Sequence, residues 1–207
     1  MSQDSFHSYR PAEGHRLAHD PLNAIVAPRP IGWIGTVSDT GVANLAPYSF
    51  FNLFSYRPPI IGFSSSGEKD SLANVRATGA FTWNLVSRAL AEAMNLTSAP
   101  VGAEVDEFAL AGLEKLPSLE IGAPRVASSP VQFECKVTEI LRLKTLTDTP
   151  SNNWMVFGEV VHVHIDPACL ADGVYRTVAA VPIARGGGPA DYFEVRDDTL
   201  FLMSRPR

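Results

Sequence analysis

Cysteine is scarce: the chain holds two, Cys135 and Cys169, so neither a disulfide framework nor a cysteine-rich zinc site can be built. A surplus of positive charge is missing too. Lys and Arg number 17 against 22 Asp and Glu, a formal charge of −5, which argues against nucleic acid as a partner. No apolar run approaches the ~20 residues that cross a bilayer, so no membrane association is expected. Residues 1–20 carry His7, His15 and His19 but no apolar signal-peptide core, and a soluble cytoplasmic protein is expected. No G-x-G-x-x-G fingerprint occurs, so no separate Rossmann nicotinamide domain is expected. Internal repeats and low-complexity linkers are lacking as well.

What is present is ordinary globular composition, with 45% apolar and 19% charged residues. At ~150 residues per domain, 207 residues make one domain with an extension. The division read here is an N-terminal arm, 1–20, and a single body, 21–207.

The body reads mainly as β with a few helices. Ile31, Trp33, Gly35 and Val37 repeat at period two, Asp39-Thr40-Gly41 supplies a hairpin turn, and Val42 to Pro47 returns. Ile60 to Ser64 and Phe81 to Val86 are further strands. Asp70 is the expected N-cap of a helix ending at Gly79, and Ser87 that of a second helix running to Leu96. A short helix is expected over Val105 to Leu110, stopped by Gly112. From Val131 to Lys144 the odd positions are apolar and the even ones polar, the mark of an antiparallel strand buried on one face. Glu139 breaks that face and suggests a bulge or a barrel mouth. Met155 to Ile165 is a second long strand, reached through Thr147 to Asn152, and Thr199 to Met203 reads as a last one. Without βαβ alternation, this pattern points to a barrel.

The most informative stretch is Gly62-Phe63-Ser64-Ser65-Ser66-Gly67-Glu68-Lys69-Asp70-Ser71. It leaves a strand and opens a helix. Its small residues allow close backbone approach; its hydroxyls, helix-start N–H groups and Lys69 suit an anion. Two readings stand: a phosphate cradle, or a serine-rich turn before a capped helix. A triphosphate loop is excluded, because Glu68 occupies the position of the lysine. Arg29 to Ile34 and Asn44 to Asn52 bring Tyr48, Phe50 and Phe51 near a small-residue strand end, either as a slot for a flat ring or as core or dimer interface. His162 and His164 share a strand face without an evident third ligand, so no metal site is expected. Cys135 lies on the apolar face as inert packing, and Cys169 has no assigned role.

Taken together, several of these segments resemble the flavin reductase-like FMN-binding split barrels, in the branch of flavoredoxin and the nitrilotriacetate monooxygenase reductase component. The resemblance runs from about Ala27 through Asp166. It rests on Arg29-Pro30-Ile31-Gly32-Trp33-Ile34, Asn44 through Phe51, Lys69-Asp70-Ser71 with Asn74, and Trp83-Asn84-Leu85-Val86. Asp106-Glu107-Phe108 with Gly112-Leu113, and Gly158-Glu159-Val160, add to it. The resemblance implies a six-stranded Greek-key split barrel, a homodimer, and FMN near the subunit interface. Ala46, Pro47, Tyr48, Ser49 and Phe50 would flank the flavin ring, with main-chain N–H groups around Tyr48 to Phe50 facing its edge. Ser64, Ser66, Lys69, Asp70 and Ser71 would surround the phosphate and its chain, Arg29 and Pro30 would sit near the ring or phosphate edge, and Asn84 would support the pocket. Arg185-Gly186-Gly187-Gly188 with Tyr192 resembles a closing segment of the branch, with one glycine more. The implied activity is hydride transfer from NADH or NADPH to FMN, with no catalytic acid or base, the reduced flavin passing to a monooxygenase or another electron acceptor. The competing readings are an FMN electron carrier that does not oxidise NAD(P)H, and a non-redox barrel for another phosphorylated ligand.

Overall fold

The structure, a computed structural model, describes residues 6–206; the first five residues of the expected arm and Arg207 lie outside the described residues. Seven strands build the body: β1 (Gly32–Val37), β2 (Ala43–Tyr48), β3 (Phe51–Tyr56), β4 (Pro59–Ser66), β5 (Ala80–Asn84), β6 (Val131–Lys144) and β7 (Pro150–Ile165). Helix α1 (Asp70–Thr78) joins β4 to β5, while α2 (Ala91–Leu96) and α3 (Glu107–Leu110) lie in the long connection to β6. The strands form one antiparallel sheet in the order β2-β1-β5-β6-β7-β4-β3. Its two edges, β2 and β3, are linked by only Ser49 and Phe50, so the sheet has to curl until they approach. The Ser64 amide donates to the Phe50 carbonyl at 2.8 Å, which extends the β3–β4 ladder into that link. This is the mainly β split barrel that was expected, with one strand more in its sheet. Phe51–Tyr56 escaped the sequence reading because it is an edge strand, with Asn52, Leu53 and Phe54 all exposed and no buried alternation to betray it.

Ile34, Phe63, Phe81, Cys135 and Val156 fill the barrel, joined by Leu72 and Val75 of α1. A second cluster, with Trp33, Leu45, Met94, Phe108 and Val126, packs α2 and α3 against the other face of β1 and β2. Gly41, Gly79 and Gly112 all take positive φ at the predicted stops. None of the helices among the described residues is long and apolar enough to cross a membrane.

Four local expectations are corrected. In β6, Phe157 faces Glu139 but Gly158 faces Val137, so Thr138 is an extra residue. This bulge, expected at Glu139, reverses the alternation: Ile140 packs on the core, and Leu141 and Leu143, read as buried, are exposed. The polar face of the same strand is not open to water, since Gln132 and Glu134 are buried beneath the segment leading into β6. Neither Asp70 nor Ser87 caps a helix with its side chain: Gly67 turns the chain so that Lys69 takes the cap position, and Ser87 precedes a short 3₁₀ turn. Residues 199–203 form no strand, because the last pairing is made earlier, by Tyr192–Glu194 with Ile183–Arg185.

Candidate functional site

A cavity of about 420 Å³ opens where the end of β2 meets the start of α1 and the stretch from Thr97 to Glu107. Local sequence explains its upper wall. Gly67, at φ 87°, turns the chain out of β4, and its amide donates to the Asn152 carbonyl at 2.7 Å. The helix that follows has no side-chain cap, so its first-turn amides keep their donors for the cavity. Lys69 stands there, exposed and without an ion pair among the described residues. Glu68 beside it is held by Arg76 at 2.9 Å, which offsets one negative charge at the mouth.

The floor is polar. Asn44 donates to the hydroxyls of Ser71 (2.9 Å) and Thr36 (3.1 Å), and Asn74 donates to Thr36 at 3.0 Å. The Tyr48 hydroxyl stands beside Ser65 and Ser71 but in hydrogen-bonding geometry with neither; the residue is 6% exposed. Burial pushes its phenol up. Glu107 lines the same cavity, and its Oε2 accepts the Leu45 amide at 3.0 Å. Burial raises its carboxyl above the ordinary range, and the charges of Asp70 and Asp106 push the same way.

The predicted residues fall into four groups. Ala46, Pro47, Tyr48, Lys69, Asp70 and Ser71 come together around the cavity. Ser64 and Ser66 point to the opposite side of β4, with Met155 and Asn153, and Ser66 donates to Asn153 Oδ1 at 2.8 Å. Ser49 and Phe50 form the link between the sheet edges, Phe50 under the Arg29 guanidinium at 5.6 Å. The remaining four lie outside the cavity lining. Arg29 is engaged with the carbonyls of Asn23, Val26 and Gly186, and Pro30 lines a separate apolar opening. Arg185 binds the carbonyls of Pro189 and Asp191 and lies over the Tyr192 ring. Asn84 is wholly buried, donating to the Trp33 carbonyl and accepting the Val126 amide. Sequence reasoning missed Glu107 and residues 97–101 as walls; the Asp106-Glu107-Phe108 triplet was the only signal, and it announces the cap of α3.

The apolar opening, about 510 Å³, is lined by Phe51, Leu53, Tyr56, Trp83, Phe133 and Val163, with Phe51 stacked on Trp83. The two strand histidines make no metal cluster with other ligating groups among the described residues. Their rings stack at 4.5 Å, and His164 donates to Glu134 at 2.7 Å. Cys135 is buried in the barrel, where burial pushes its thiol up, and Cys169 packs with Leu85, Val131 and Ala180.

Residues 26–179 match the family model described as flavin reductase like domain. A curated relative, an uncharacterized protein of Halalkalibacterium halodurans, is 34% identical over 181 residues, which are 85% of this chain and 84% of that one. Among solved structures, nitrilotriacetate monooxygenase component B from Bacillus cereus superposes with a TM-score of 0.85 at 28% identity, covering 95% of this chain and 98% of the other. Flavoredoxin of Desulfovibrio vulgaris shares the fold, with a TM-score of 0.76 at 23% identity over 91% and 94% of the two chains.

Proposed function

The chain belongs to the flavin reductase like domain family, and from that premise we propose that it binds FMN and reduces it with a hydride from NADH or NADPH. The reduced flavin then passes to a monooxygenase, to oxygen or to another electron acceptor. The observation that carries this reading is the uncapped start of α1, opening on a polar cavity beside an unpaired Lys69. That donor set fits a phosphate: amide N–H groups, a hydroxyl and one ammonium, with the nearest glutamate tied to an arginine.

In this reading Lys69 and the first amides of α1 hold the phosphate, and Ser71 with the buried amide of Asn44 gives that end its polar lining. The segment from Ala46 to Phe50 flanks the ring, and its main-chain N–H groups face the ring edge that gains negative charge on reduction. Bound FMN supplies the hydride-accepting ring; the protein contributes orientation and electrostatics. No side chain is asked to move a proton. Arg29 and Arg185 lie outside the cavity lining, so Lys69 and the helix start provide the local positive potential. The body, 21–207, acts as a homodimer in this reading, supported by the exposed apolar side chains of Leu53 and Val163, which line the apolar opening of the barrel.

Protein mixed with FMN and desalted is expected to keep a two-band flavin spectrum that NADH or NADPH bleaches without oxygen. Retained colour that neither nicotinamide bleaches identifies an electron carrier instead. Replacing Lys69 with Ala should weaken FMN binding about tenfold, measured by equilibrium titration. Unchanged affinity would remove the cradle assignment.

A further inference from the structure

Leu200-Phe201-Leu202-Met203 reads as a strand in the sequence and forms none in the structure. Its side chains are 59%, 74%, 95% and 83% exposed, and residues 201–206 make no main-chain hydrogen bond among the described residues. We propose that this segment is an exchanged C-terminal arm: in a pair of chains, each arm lies in the apolar opening of the other barrel. The inference rests on the homodimer reading above.

In an extended segment successive side chains point to opposite faces. Leu200 already has extended dihedrals, φ −76° and ψ 128°. Four apolar residues in a row therefore present two apolar faces, the pattern of a strand covered on both sides. The surface of one chain covers one face of such a segment; the seam between two chains covers both. Ser204 and Arg205 follow, so the apolar run ends where the chain can return to water.

The arm leaves from a fixed root. Thr199 Oγ1 donates to the Arg196 carbonyl at 2.8 Å, and the Arg196 guanidinium is paired with Glu194 and Asp198. Val195, one residue earlier, lines an apolar hollow of about 350 Å³ with Leu85 and Ile183. That hollow shares Pro30 and Trp83 with the opening of about 510 Å³. The two make one apolar trough, running from the root of the arm to Leu53 and Val163. Each chain thus holds both halves of a complementary pair, a free apolar segment and an empty apolar trough that begins beside it. Two copies related by a two-fold axis satisfy both halves at once, and exchange of a terminal element between identical chains is a low-cost route to that state.

Position 202 carries the probe, since its side chain is the most exposed of the four and both native cysteines are buried. Full-length Leu202→Cys is coupled to benzophenone maleimide and irradiated. A product of two-chain mass is expected, joined at peptides that hold Phe51, Leu53, Trp83 or Val163. A product of one-chain mass joined at those peptides marks an arm folded onto its own barrel and overturns the inference. So does a two-chain product joined elsewhere, or no product. A chain ended after Thr199 keeps the root and lacks the arm. By sedimentation its dimer is expected to dissociate at a concentration at least about tenfold higher, and its tryptophan emission to move to the red as Trp83 gains water. Association and emission that ignore the truncation overturn the inference while the homodimer reading stands. An unaltered chain that sediments as a monomer at every concentration removes both.

Discussion

Glu134 shows how one buried side chain can fix a whole segment. It has no exposed surface, yet its carboxylate accepts the Leu119 and Glu120 amides at 2.7–3.0 Å and the His164 ring at 2.7 Å. Arg125 Nε stands 3.7 Å away, an ion pair rather than a hydrogen bond. Burial works to raise this carboxyl, but the two amides and His164 outweigh it and hold it below its usual value. A depressed folded value means stability that is present above the ordinary carboxylate range, about 4.3, and lost as pH falls through the depressed one. Glu134→Gln is expected to cost on the order of 3 kcal/mol at pH 7 by urea unfolding, and to flatten the acid limb of the stability curve. An acid limb as steep as that of the unaltered protein would show that other carboxylates dominate it.

At the scale of elements, Gly158 explains how β7 can lie against the barrel core beside the bulge. A Cβ there would come within 2.5 Å and 2.7 Å of two ring atoms of Phe81, which has no exposed surface and no room to retreat. Gly158→Ala should therefore cost about 1–3 kcal/mol in denaturant unfolding while leaving the polar cavity untouched. Most strands were legible from apolar residues at period two, although β1 and the first half of β6 are buried on both faces. Beyond Val137 the same rule misled, because a single extra residue exchanges the faces and nothing in Leu141 or Leu143 reports it. The cavity was legible in part for a similar reason. Lys69, Asp70 and Ser71 are contiguous and open a helix, so local chemistry betrays them. Glu107 arrives from more than thirty residues away and shows itself only in three dimensions.

The whole molecule leaves its barrel open on one side, and that opening is apolar. Leu53, on the edge strand, is 52% exposed beside it. Sedimentation of the unaltered chain is expected to show a dimer, and Leu53→Glu to shift it towards monomer. A variant that stays dimeric would place the interface elsewhere. The three tryptophans divide this architecture among themselves. Trp33 is sealed on the far face of β1, and Trp154 lies between the guanidinium groups of Arg76 and Arg142. Trp83 alone lines the open mouth. The fold thus carries its own optical label: an emission change on filling the mouth reports from one indole, while the other two serve as an internal reference.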